Sequence, residues 1–182
     1  MKTDQLETPL QVNIMTKPKA FVSLMKLRLS SLVVLSAFFG FLMAKGDLNS
    51  LSMYSLLFGG LLITGSSNGF NQILEIKTDT LMSRTKSRPL PVQIISKIEA
   101  IIFCAIIGNL GLFLLYTINY KSMLLGLFSM IVYVLIYTPL KQKSAIAVFV
   151  GAIPGSIPPL LGYVAVSNLS LIHISEPTRP SQ

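Results

Sequence analysis

Five stretches of this chain contain no Asp, Glu, Lys or Arg: 29–44, 48–74, 100–120, 122–140 and 144–175. A helix needs roughly 20 apolar residues to cross a bilayer core. The first run is short, but it extends backwards through AFVSLMKLR, where Lys26 and Arg28 can snorkel to the interface. The runs are too long for the strands of a membrane barrel and lack strict alternation. Composition agrees: of 182 residues 52% are hydrophobic and 12% charged, against about 25% charged in soluble domains. The expected class is therefore all-α and integral to the membrane, a multi-helix transmembrane bundle with five spans.

A net charge of +8 raises the question of nucleic acid, and the distribution of charge answers it. With the N-terminus in the cytoplasm, cytoplasmic segments carry Lys2, Lys17, Lys19, Lys26, Arg28, Lys77, Arg84, Lys86, Arg88, Lys97, Lys141 and Lys143. Only Lys45 and Lys121 fall on the other side. Such a bias follows the positive-inside rule, so the excess reports topology and no nucleic-acid partner is expected. The single cysteine, Cys104, lies within an apolar run and reads as a buried thiol. No cleavable signal peptide is visible in the polar residues 1–20.

The expected organisation is a cytoplasmic N-terminal segment (1–20), a partial transmembrane domain (21–168) and a tail (169–182) of different origin. The tail LSLIHISEPTRPSQ turns abruptly polar at Glu176. From Leu169 to Arg179 it reads as the in-frame translation of a sequencing-library transposase adapter, which excludes His173 as a ligand or base. The native protein is then expected to be longer. The alternative is a genuine polar terminus.

The chemistry concentrates in NQILEIKTDTLMSRTKSRPLP, residues 71–91. Asn71, Glu75 and Asp79 are spaced i, i+4 and i+8, which puts them on one helix face about 12 Å long. Three oxygen-bearing side chains on one stripe suit a hard cation such as Mg²⁺, which is bound by one or two carboxylates plus substrate phosphates. Ionisable residues near membrane depth are costly and mark functional sites. Arg84 and Arg88 are again four apart and can fork onto phosphate oxygens. Pro89 and Pro91 end any helix there and lead into an ordered interfacial loop. The competing reading makes these charges caps that set topology. It accounts for the basic residues, but Glu75 and Asp79 oppose the positive-inside signal.

Other features leave alternatives open. Gly151, Pro154, Gly155, Pro158 and Pro159 lie inside the last run, as a broken helix lining a chamber or as a packing kink. Tyr133 and Tyr137 share a face and are expected in an interfacial belt rather than a cavity. Met53 and Met82 are read as apolar filling.

The 71–91 stretch resembles the first acidic motif of the intramembrane prenyltransferases, N-x-x-x-[DE]-x-x-x-D followed by R-T-x-x-R-P. With Glu in the middle and D-x-x-M-x-R-T-x-x-R-P-L, it is similar to their heme O synthase branch. SLMKLRLSSLVVLSAFFG resembles the opening span, with Lys26-Leu27-Arg28 in place of Lys-Pro-Arg. YTPLKQKSAIAVFVGAIPGSIPPLLGY resembles the segment joining the fourth and fifth helices, and the likeness covers roughly residues 20–168. It implies a nine-helix bundle around a lipid-open cavity, of which five spans are present, with two facing acidic motifs. It also implies Mg²⁺-dependent transfer of a farnesyl group from farnesyl diphosphate to a vinyl group of heme b, giving heme o, in a bacterial inner membrane. Asn71, Glu75 and Asp79 would hold the metal, Arg84 and Arg88 the diphosphate, and Lys141 a further diphosphate contact. The second acidic motif is absent, so these residues alone are not expected to close the cavity. Rival expectations are prenylation of a quinone precursor or other aromatic acceptor, and a non-enzymatic carrier or assembly subunit.

Overall fold

The computed structural model describes residues 16–167, so residues 1–15 of the N-terminal segment and the whole stretch 169–182 lie outside the described residues. The described elements are all helical: α1 (Thr16–Met25), α2 (Leu27–Met43), α3 (Leu51–Leu74), α4 (Ile76–Leu81), α5 (Lys97–Ile118) and α6 (Tyr120–Ile131), followed by a π-helical segment (Val132–Tyr137), α7 (Thr138–Leu140) and α8 (Ala147–Ser167). The chain is an all-α integral membrane protein. Four stretches are long and apolar enough to cross a bilayer: Lys17–Met43, Lys97–Ile118, Tyr120–Leu140 and Ala147–Ser167.

The fifth expected span, α3, has 24 residues, about 36 Å of helix, but it falls short on apolarity. Its second half buries Ser66, Ser67, Asn68, Asn71 and Gln72. Neighbouring helices rather than lipid cover these groups, because α3 packs against α1, α2, α5, α6 and α8. The five expected spans thus become four apolar helices and a fifth whose second half is polar. Contacts run from α2 to α3, α3 to α5, α5 to α6, α6 to α8 and α8 back to α2, closing a ring with a cavity inside.

The first span is not one continuous helix. Lys26 sits in the left-handed region (φ 48°, ψ 56°) between α1 and α2, a conformation that costs a non-glycine residue about 1–3 kcal/mol. Polar side chains of α3 and α2 offset that cost by bonding the carbonyls around the break. Gln72 Nε2 donates to the Leu24 carbonyl at 2.9 Å, and Ser30 Oγ to the Met25 carbonyl at 2.7 Å. Asn68 Nδ2 lies 3.1 Å from Ser30 Oγ. The proline that usually follows Lys26 in the resembling sequences is therefore not needed for the break.

Caps and short polar bonds fix the other helices. Ser96 and Glu99 form a capping box at the start of α5, and Glu99 also pairs with Lys17 at 2.9 Å. This ties α1 to the N-terminus of α5. At the opposite end a single extended residue, Asn119, joins α5 to α6. Its side chain accepts from the Ser122 N–H at 2.7 Å and donates to the Val164 carbonyl at 3.2 Å. The connection between α4 and α5 is ordered as expected, because Leu90 and Ile95 are buried with Ala20, Leu24, Ile73, Ala100 and Cys104.

Close approach of α2 and α8 rests on two glycines. A Cβ at Gly162 would run into the Ala37 carbonyl, and one at Gly40 into the Pro159 carbonyl. Gly155, by contrast, has nothing within 4 Å of where a Cβ would stand. Gly162→Leu is expected to destabilise the bundle by about 1–3 kcal/mol or more through overpacking. Gly155→Ala is expected to be neutral or slightly stabilising. Thermal unfolding followed by size exclusion in detergent checks the contrast.

Candidate active site

The acidic stripe spans the junction of α3 and α4. Glu75 stands between the two helices with φ −94° and ψ 4°, so the expected continuous helix bends there. Helical bonding nevertheless runs through the bend: the Glu75 N–H bonds the Asn71 carbonyl at 3.0 Å, and the Asp79 N–H bonds the Glu75 carbonyl at 2.8 Å. The stripe is thus kept on one face, as the spacing predicts. Asn71, Glu75 and Asp79 are only 2%, 8% and 4% exposed. Ionised carboxylates so placed require partners, since desolvating an unpaired charge costs several kcal/mol.

Two basic side chains supply them. Arg88 Nη1 lies 2.6 Å from Asp79 Oδ2, and Lys141 Nζ lies 2.7 Å from Glu75 Oε1. Arg88 reaches Asp79 because the chain turns back after Leu81, and Thr85 Oγ1 bonds the Asp79 carbonyl at 3.1 Å. Lys141 arrives from a distant part of the sequence, at the end of α7.

Asn71 joins these groups into one network. Its Nδ2 donates to Glu75 Oε2 at 2.9 Å. Its Oδ1 lies 3.2 Å from Lys141 Nζ and 2.9 Å from Thr138 Oγ1. The orientation of the amide is fixed by chemistry, because an ammonium can only donate and a carboxylate can only accept. Asn71 Oδ1 and Glu75 Oε1 therefore converge on one cation, the Lys141 ammonium. Asn71 and Glu75 thus present hard oxygen donors that already gather around a positive charge, which suits the expected metal. Two carboxylates and one amide oxygen suit a cation that completes its shell with phosphate and water. No group of three or more His, Cys, Asp or Glu converges among the described residues.

These residues line a cavity of about 1100 Å³. Lys26, Arg84, Arg88 and Lys141 face it together with Glu75 and Asp79. Four bases against two acids leave a formal excess of two positive charges, which suits a polyanion. Beyond the charged mouth the wall turns apolar, with Val33, Val34, Ile63, Leu115, Ile157 and Leu161. Arg84 lines the mouth with an exposed side chain and forms no ion pair among the described residues.

Several residues take other roles than the sequence suggested. Tyr133 and Tyr137, on one face of the π-helical segment, line the cavity rather than an interfacial belt. Their rings stack 5.4 Å apart, and Lys141 Nζ lies 5.6 Å from the centre of the Tyr137 ring. Such π segments recur at functional sites. Gly151 leaves room for the Tyr137 ring, which a Cβ there would meet at 2.7 Å. α8 is continuous through its prolines; Pro154 and Pro158 line the cavity while Pro159 packs on Gly40, so chamber wall and packing surface share one helix. Met82 also lines the cavity, while Met53 packs against the core as filling.

Lys26 and Thr138 were missed as site residues. The left-handed turn at Lys26 brings it to the cavity instead of the interface. Thr138 is 1% exposed; its place three residues before Lys141 in YTPLK was the available signal.

Comparison with known proteins places the chain in a family. The UbiA prenyltransferase family matches residues 33–175. A "Protoheme IX farnesyltransferase" of Christiangramia forsetii is 44% identical over 148 residues, 81% of this chain and 49% of the relative. One of Cytophaga hutchinsonii is 44% identical over 154 residues, 82% of this chain and 53% of the relative. A "Protoheme IX farnesyltransferase, mitochondrial" of Arabidopsis thaliana is 38% identical over 153 residues, 82% of this chain and 36% of the relative. The chain spans about half the length of the bacterial relatives. No solved structure matches it. The match over most of the chain, on a helical bundle with an acidic stripe facing bases across a cavity, identifies it as a member of the UbiA prenyltransferase family.

Proposed function

We propose that the whole protein transfers a farnesyl group from farnesyl diphosphate to a vinyl group of heme b, giving heme o, with Mg²⁺ as its cation. The observation that carries this reading is the paired acidic stripe: two buried carboxylates, each held by a base, at the charged mouth of an apolar cavity. The relatives carry the name of the same transfer. A positive excess with forked guanidinium groups suits a diphosphate, and the apolar wall suits an isoprenoid chain.

In this reading Asn71, Glu75 and Asp79 hold the cation, while Arg84, Arg88 and Lys141 hold the diphosphate. Bound Mg²⁺ would neutralise charge that gathers on the diphosphate oxygens as the bond to the farnesyl carbon breaks. The electron pair of that bond leaves with the diphosphate, and the guanidinium groups stabilise it there. The farnesyl fragment becomes an allylic cation, which the dry wall keeps from water and the faces of Tyr133 and Tyr137 favour. A vinyl group of heme b attacks it to form the new carbon–carbon bond. Water then adds to the neighbouring carbon and loses a proton, leaving the hydroxyethylfarnesyl group. The second acidic motif implied by the resemblance would face the stripe from outside residues 16–167.

The positive-inside pattern supports an inner-membrane protein with a cytoplasmic N-terminus. The Lys17–Glu99 and Lys141–Glu75 pairs support one basic end of the bundle, where the diphosphate would enter.

In the intact native protein, Glu75→Gln and Asp79→Asn are each expected to lower kcat at least about 100-fold. The assay is chromatography of heme o formed from heme b and farnesyl diphosphate. Unchanged turnover in both variants would leave these charges setting topology alone, no product from the wild-type protein would support a carrier, and a prenylated quinone precursor in place of heme o would move the acceptor. Thr138→Val is expected to lower kcat about tenfold by removing one of the bonds that hold the Asn71 amide, a loss near the worth of one buried hydrogen bond. Thr138→Ser should restore most of it. Equal loss in both would make Thr138 a packing residue.

A further inference from the structure

The Lys141 ammonium occupies the place where the oxygens of Asn71 and Glu75 point, at 3.2 Å and 2.7 Å. A cation bound by those oxygens and Lys141 Nζ cannot share that position. Arg88 likewise holds Asp79 Oδ2 at 2.6 Å. The acidic stripe is therefore already neutralised by cations tethered to the chain.

We propose that Lys141 is a built-in placeholder for the metal, so that a divalent cation enters only when a diphosphate draws the ammonium off Glu75. This inference rests on the metal–diphosphate reading above and adds an order to it. Three features of Lys141 suit the exchange. Its side chain is 30% exposed, against 11% for that of Glu75, so the base and not the acid has room to move. It lines the same cavity as Arg84 and Arg88, where a diphosphate would offer it new oxygens. Tyr137, with its ring 5.6 Å from Nζ, gives the ammonium a second surface to rest on during the move.

The physical consequence is a coupling between two ligands. Metal alone must displace an ion pair inside a protein wall, and its apparent affinity falls by the fraction of time that Lys141 leaves the site open. Diphosphate alone meets two carboxylates with no metal between. Together they give each carboxylate and each phosphate oxygen a partner. The stripe is then kept from collecting stray cations, and its buried acids are not left bare between turnovers.

The test uses the intact native protein in nanodiscs, with protein-bound Mn²⁺ measured by electron paramagnetic resonance with and without inorganic pyrophosphate. The wild-type chain is expected to bind Mn²⁺ weakly alone. Lys141→Met should tighten Mn²⁺ binding without pyrophosphate by at least about tenfold, and Lys141→Gln should do the same if the methionine variant does not fold. Arg84→Met removes a charge from the same cavity wall without freeing a carboxylate, and without pyrophosphate should change Mn²⁺ affinity less than about threefold. Two results overturn the inference: a folded Lys141 variant with unchanged Mn²⁺ affinity, or an Arg84→Met effect as large as that of Lys141→Met. If neither the intact wild-type protein nor any variant takes up Mn²⁺ even with pyrophosphate, the metal–diphosphate reading itself fails.

Discussion

Burying a carboxylate inside a membrane bundle is the constraint from which most of this structure follows. Glu75 and Asp79 lose most of their hydration, and a desolvated charge persists only with a partner. Asp79 is answered locally by Arg88, through the turn after α4. Glu75 is answered from a distant part of the sequence by Lys141. Each pair pulls a different part of the chain to the same mouth, and the cavity lies between them.

The same polar face of α3 shapes the opening span. Gln72, Asn68 and Ser30 take up bonding around the break at Lys26. A left-handed residue is therefore stable where an uninterrupted apolar helix would otherwise run. The break turns Lys26 into the cavity mouth and adds to its positive excess. Polar satisfaction within α3 thus has a functional consequence in α2. Buried hydrogen bonds between membrane helices are worth about 0.6–2 kcal/mol each, enough as a set to hold such a turn.

Much of this was legible in the sequence. The helical class, the stripe Asn71-Glu75-Asp79 and its basic follow-up all depend on local periodicity and composition, which a chain displays openly. Four apolar spans announced themselves by charge-free length. α3 was read as a fifth of the same kind because its Ser, Asn and Gln residues carry no charge, and only packing reveals which side they face. The π-helical segment had no local signature, so Tyr133 and Tyr137 were given to the interface. Lys26 looked like a snorkelling base because nothing nearby in sequence marks the break; its causes lie on α3, more than forty residues away. The pairing of Lys141 with Glu75 is likewise long-range, although the YTPLK resemblance pointed to Lys141 as a diphosphate contact.

The central claim is that the acidic stripe grips a divalent cation in order to hold a diphosphate. Calorimetric titration of the intact native protein with farnesyl diphosphate, before and after chelation of Mg²⁺, tests it most directly. The account predicts at least about a tenfold loss of affinity on chelation, with the loss abolished in Asp79→Asn. Equal affinity with and without Mg²⁺ would contradict it.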